Sequence, residues 1–301
     1  MSFLSSFRVF ACLLLVCFSS AQAVTVQDSH GRFTLDKAPV RIVVLELSFV
    51  DALAAIDVSP AGVADDNDAG RILPEVRQRI HRWKSVGTRA QPSLEAIAAL
   101  QPDLIIADSS RHEGIYGQLT TIAPTLMLKS RNETYSENLQ SAAIIGKVVG
   151  KEAVMQQRLE QHKQRMHAFA SQLASTEVVF GTSREQQFNL HGSESYTGSV
   201  LVALGMKVPE SIGHSAITST GLEQLLAINP DWLIVAHYRQ QSIVRQWQQD
   251  PLWQMMKAAQ AGHVAEADSN SWARMRGLFA AERIASDLVA ILHNRTPSTP
   301  Q

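Results

Sequence analysis

Arginine recurs in the short polar segments of this chain: Arg89 in GTRAQP, Arg111 in DSSRH, Arg131 in KSRNE, Arg184 in TSREQ, Arg239 in HYR, and Arg274 with Arg276 in WARMR. A guanidinium stays charged and donates in a planar fork that matches a carboxylate, which an ammonium does not. A lone loop arginine is ordinarily a solvated surface residue, but repetition at successive strand-to-helix turns fits capture of an anion. Ser109, Ser110, Thr182, Ser183 and Tyr238 are further polar candidates, with hydrogen bonding inside their own loops as the alternative. Trp272 either covers the ligand or fills the edge of a core, and Arg131 has an alternative partner in Glu133. The acidic residues Asp65, Asp66 and Asp68 are read as a rim or a turn cap, with a hard-cation site as the alternative.

Other chemistries find little support. The chain has ten histidines, but none at a metal-ligand spacing; His162 and His167 lie five apart and share no helix face well. HExxH, CxxC, P-loop and dinucleotide glycine patterns are absent from the sequence. Ser183 lacks the G-x-S-x-G elbow that would expose a nucleophile, so an enzyme is not expected. With 27 basic and 28 acidic residues, the net charge is −1 and no basic block resembles a nucleic-acid footprint. An anion must therefore be drawn by local geometry.

Residues 1–23 combine Arg8, an apolar stretch and Ala21-Gln22-Ala23, the pattern of a cleaved secretory signal peptide. Both cysteines, Cys12 and Cys17, fall inside it, so the expected exported product has no thiol and needs a core large enough to stand without disulfides. Strand and helix patterns then alternate. A hairpin turns at Asp28-Ser29-His30-Gly31; strands are expected near 41–45, 61–65, 103–108 and 125–129. Helices are expected at 48–56 with Ser48 as cap, from Pro92, and at 114–122. Two helical stretches follow, 136–149 and 151–173, the second free of Gly and Pro and polar enough to bridge solvent. Alternation resumes with strands at 177–182, 188–191, 232–237 and 263–268 and ends in a helix at 277–292. The expected fold class is α/β: two lobes with central parallel-type sheets joined by a single long backbone helix. The lobes span 24–149 and 174–295, the spanning helix 150–173, and a frayed Pro/Ser/Thr tail 296–301.

One phrase occurs twice. SLEAIAALQPDLIIA begins at Ser93 and GLEQLLAINPDWLIVA at Gly221, each a helix with a glutamate in its first turn, Glu95 or Glu223, feeding a strand. A carboxylate there gains from the helix dipole. The dipole does not explain why the two copies match.

The opening hairpin with RIVVLELSF, the segment GTRAQPSLEAIAALQPDLII, the long helix and LEQLLAINPDWLIV together resemble the periplasmic siderophore-binding proteins of ABC importers. DDND, ADSSRH, KSRNETY, FGTSREQQFNLH, AHYR and SNSWARMRG are similar to the ferric dicitrate binders among them. The likeness covers essentially all of the chain after residue 23, departing at 192–196, 209–217 and the C-terminal tail. It implies capture of ferric citrate without a cofactor, the iron held by citrate and no metal ligand from the protein. Another siderophore, haem or cobalamin is the alternative. It implies that Arg89, Arg111, Arg274 and Arg276 bind the anion, with Arg184, Arg239, Ser109 and Trp272 as further members. Hydroxamate binders carry an aromatic about where Arg111 stands. It also implies that Glu95 and Glu223, one per lobe, dock on arginines of a two-subunit permease. A periplasmic monomer that closes only modestly is expected.

Overall fold

The computed structural model describes residues 23–210 and 215–293; the segment read as a signal peptide, apart from Ala23, and the tail at 296–301 lie outside the described residues. Strands β1 (Val24–Asp28) and β2 (Gly31–Leu35) pair antiparallel across the expected turn. The Asp28 carboxylate accepts the His30 amide at 2.8 Å, and Gly31 takes a positive φ of 109°. Next come β3 (Ile42–Val44), α1 (Leu47–Ala54), β4 (Gly62–Val63), α2 (Pro74–Arg77), β5 (Lys84–Ser85), α3 (Leu94–Ala99), β6 (Leu104–Asp108), α4 (Tyr116–Ile122) and β7 (Thr125–Leu128). They build a parallel sheet of order β5-β4-β3-β6-β7.

Helices α5 (Tyr135–Val148) and α6 (Glu152–Ala170) lead to the second half. There β8 (Val178–Ser183), β9 (Phe188–His191), α7 (Tyr196–Ala203), β10 (Ile217–Ser219), α8 (Leu222–Ile228), β11 (Trp232–His237), α9 (Ile243–Trp247), α10 (Lys257–Gln260), β12 (Val264–Ala267) and α11 (Leu278–Leu292) follow. The second sheet has the order β10-β9-β8-β11-β12. It is parallel across β8, β11 and β12, but β9 pairs antiparallel with β8, because residues 184–187 are too few for a crossover and allow only a hairpin, and β10 in turn pairs antiparallel with β9.

Each sheet buries apolar side chains on both faces, as parallel strands require. Helix α11 belongs to both halves. Leu278 and Ala280 pack in the first core, while Ile284, Ala285, Leu288 and Ile291 pack in the second. On the polar helix α6, Arg158, His162 and Arg165 reach Glu282 of α11 at 2.8, 2.7 and 3.0 Å.

Two expected helix starts differ. Ser48 lies inside α1, bonding Ser130 through its hydroxyl at 2.7 Å, and Glu46 occupies the N-cap position. Pro92 precedes α3, where Ser93 is the cap and accepts the Ala96 amide at 3.1 Å. A serine oxygen can satisfy a first-turn N–H, which a proline ring cannot do.

Candidate functional site: an arginine-lined cleft

In a parallel sheet, loops leave the carboxyl ends of all strands on one edge, where a crevice can form. Here the carboxyl-end loops of both sheets face one cavity of about 590 Å³, lined by Arg71, Arg89, Arg111, Arg184, Tyr238, Arg239, Ala273, Arg274 and Arg276. Three of these arginines follow β4, β5 and β6, and four follow β8, β11 and β12.

The first half holds its arginines through buried or half-buried carboxylates. Asp66, at a positive φ of 60°, accepts the Arg89 amide at 2.8 Å and its Nε and Nη2 at 2.9 and 2.7 Å. Asp66 also pairs with Arg71. Burial would raise the Asp66 carboxyl, but the bonds from Arg89 and Arg71 outweigh it and hold the group below its ordinary value. Asp108, at the end of β6, takes the amides of Ser110 and Arg111 on one oxygen, at 3.1 and 2.6 Å, and those of Ser130 and Arg131 on the other, at 2.7 and 2.8 Å. Burial opposes its charge, yet these donors keep it below the usual carboxylate range. Asp108 thereby fixes the loop that carries Arg111. His112 ties that loop to the next: Nδ1 accepts the Asp108 amide at 2.9 Å, so Nε2 donates to the Arg89 carbonyl at 2.8 Å.

The second half uses shape. Residues Asn270–Arg274 form one π-helical turn, a form often found where a helix is bent to present a side chain. Arg274 donates to Ser269 Oγ and Asn270 Oδ1 at 2.7 and 3.0 Å and lies over the Tyr238 ring at 4.3 Å. Arg184 lies over the same ring at 4.8 Å. One aromatic ring thus steadies two guanidinium groups. Arg276 donates to the Ser130 carbonyl of the opposite half at 2.8 Å, and Arg239 pairs with Glu185 at 3.2 Å on the exposed rim.

Of the seven arginines named from sequence, Arg89, Arg111, Arg184, Arg239, Arg274 and Arg276 reach this cavity, and Arg131 does not line it. Two other candidates do not. Trp272 is fully buried, its Nε1 donating to Asp287 at 3.0 Å and its ring 5.2 Å from that of Phe180, so it is core rather than ligand cover. Ser109 donates its amide to the Leu128 carbonyl at 2.9 Å, prolonging the β6–β7 ladder, and is absent from the lining. Arg131 is exposed, and Glu133 is buried with Asn138, at 3.0 Å, as its donor, so the suggested Arg131–Glu133 pair does not form. Thr182 and Ser183 are buried in β8, which fits their local reading. Asp68 caps the short turn Ala69–Arg71, and no group of three or more His, Cys, Asp or Glu among the described residues could hold a metal.

Sequence reasoning missed Arg71 and Glu46. Arg71 follows a strand that the sequence does suggest, but it lies beyond the acidic loop, in the short helical turn Ala69–Arg71, and was passed over. Glu46 lies in an apolar run and gave no signal. It is 1 % exposed, with Oε1 2.6 Å from Arg111 Nε and Oε2 3.7 Å from Arg89 Nη1.

Glu95 and Glu223 do not line this cavity. Each is exposed in the first turn of its helix, α3 or α8, and neither makes an ion pair among the described residues.

The comparisons agree with this architecture. Residues 42–271 match the model of the family described as "Periplasmic binding protein". The Fe(3+) dicitrate-binding periplasmic protein FecB of Escherichia coli is 69 % identical over 288 residues, 95 % of this chain and 96 % of that protein. The Fe(3+)-citrate-binding protein YfmC of Bacillus subtilis is 38 % identical over 305 residues, 96 % of each. Among solved structures, Staphylococcus aureus SirA complexed with staphyloferrin B has a TM-score of 0.79 at 21 % identity, covering 90 % of this chain and 98 % of that one, a likeness of fold. On the family match and the identity to FecB, the chain belongs to the periplasmic binding protein family, whose members bind substrates for transport.

Proposed function

We propose that this protein captures ferric citrate in the periplasm and delivers it to an ABC importer of the inner membrane. The observation that carries this reading is the convergence of seven guanidinium groups from both halves on one cavity. Citrate wrapped around iron presents carboxylate oxygens on several sides, and forks arriving from two sheets can meet them at once. A guanidinium has no free lone pair for a metal, so this donor set suits a ligand whose iron is already coordinated. The identity to proteins named for ferric citrate supports the choice among anions. Haem or cobalamin would call for apolar and aromatic walls, whereas Tyr238, the one aromatic among the described lining residues, is already covered by Arg184 and Arg274.

Delivery rests on Glu95 and Glu223. Two exposed, unpaired carboxylates at the starts of equivalent helices suit a permease built of two similar subunits that present arginines. The protein works as a monomer, and residues 1–23 are removed on export.

Calorimetric titration with ferric citrate, iron-free citrate and a ferric hydroxamate tests the ligand. Saturable binding of ferric citrate and none of the hydroxamate is expected; equal binding of both overturns the reading. In cells, replacing Glu95 and Glu223 together by Ala is expected to abolish uptake while leaving affinity unchanged. Uptake that persists, or affinity that falls, contradicts the docking role.

A further inference from the structure

The floor of an anion-binding cleft is a costly place for a buried carboxylate. Glu46 is 1 % exposed and sits at the N-cap position of α1 without capping it. Its Oε1 lies 2.6 Å from Arg111 Nε, yet neither atom has a well-aligned hydrogen bond among the described residues, so charge rather than geometry holds them together. Its Oε2 faces Arg89 at 3.7 Å. Thus one buried oxygen pair spans two of the guanidinium groups that line the cavity. The Glu46 side chain occupies the place, on the protein side, that a ligand carboxylate would occupy on the open side.

We propose that Glu46 is the positioning residue of the cleft: an internal anion that holds Arg89 and Arg111 facing inward when no ligand is bound, and that takes a proton from bulk water when ligand carboxylates replace it as their partner. This rests on the reading that the cleft takes a polycarboxylate anion.

The charges around Glu46 set the direction. Arg89 from the β5–α3 loop, Arg111 from the β6–α4 loop and Arg276 from the segment before α11 stabilise its anion, while burial, Asp108 and the buried Glu133 oppose it. Burial prevails, and the Glu46 carboxyl is pushed above its ordinary value even with the arginines unshared. A bound polyanion adds negative charge within the same low-dielectric region and shares the same guanidinium groups, so the proton affinity of Glu46 rises further on binding. The sign follows from linkage: binding that takes up a proton weakens as pH rises through the window above the free-state value of Glu46, by up to about tenfold per pH unit for one proton.

Titrating ferric citrate into the protein at one pH, in buffers of different ionisation enthalpy, counts the protons taken up. The wild type is expected to take up more protons per ligand bound than Glu46→Gln, whose affinity loses most of its pH dependence. Infrared difference spectra of the wild type on binding should gain a protonated-carboxyl band, a readout that needs no variant. Equal proton uptake by wild type and E46Q, or loss of the uptake in Glu133→Gln with E46Q unchanged, overturns the proposal. Failure of the wild type to bind ferric citrate at all would instead overturn the ligand reading.

Discussion

Guanidinium and ammonium groups carry the same charge, so the preference for arginine in this cleft must lie in geometry. Arg89 spends its Nε and Nη2 on Asp66, and Arg274 places one nitrogen on Ser269 and Asn270. Each keeps further donors, because five N–H groups radiate from one rigid plane. A lysine at either position would have to abandon its protein partner or the ligand. Charge-assisted hydrogen bonds contribute about 1.5–3 kcal/mol each. Arg89→Lys and Arg274→Lys should therefore each weaken ferric citrate binding by at least about tenfold despite the preserved charge. Titration of the two variants checks this, and an unchanged affinity would mean that the cleft acts as a diffuse positive field. Trp272 gives the opposite lesson: its neighbours in sequence face the cavity, but a large apolar ring adjoining Phe180 gains more from burial than from covering an anion.

At the scale of elements, loops at strand ends carry the arginines, the helix starts carry Glu95 and Glu223, and α11 connects the two halves. Its N-terminus is capped by Asp51 of α1, which accepts the Phe279 and Ala280 amides at 3.2 Å each. Gly277 makes this approach possible. At a φ of 139°, a Cβ there would lie 2.1 Å from Asp51 Cγ. Burial pushes the Asp51 carboxyl up to about 7 despite its amide donors. Because the folded value exceeds the ordinary one of 3.8, the stability that Asp51 contributes is full below the ordinary value and is lost as pH rises through about 7. Asp51→Asn should remove this slope, so the melting-temperature difference between wild type and variant should shrink from about pH 4 to about pH 7. A difference independent of pH would contradict the assignment.

For the whole molecule, the question is how far the two halves can move. Helix α6 has 19 residues, about 28 Å at 1.5 Å per residue, and passes between the lobes without a break. It is not alone: α11 has side chains in both cores, and Glu282 ties it to Arg158, His162 and Arg165 of α6. Burial of Glu282 opposes its charge, but His162 and Arg158 hold the carboxyl down at about 2, so Glu282 stays ionised at any ordinary pH. Hinge bending would have to tear α11 from one core or break this network. Small-angle scattering with and without ferric citrate should give nearly the same radius of gyration, and a large compaction on binding would refute this picture.

The sequence by itself determined the alternation of strands and helices, the long polar helix, the repeated phrase with its two glutamates, and six of the seven arginines, because each is a local pattern. Period, caps and composition act over a few residues and can be read along the chain. The tertiary structure alone decided what those patterns meet. It placed Trp272 in a core, left Ser109 in a ladder, turned β9 antiparallel to its neighbours and brought Arg71 to the cleft from a short turn beyond the acidic loop. It also set Glu46 beneath Arg89 and Arg111, residues far from it in sequence. The reason is physical: whether a charge is buried, paired or facing a ligand depends on which loops the sheet order brings together, and no local window of sequence contains that information.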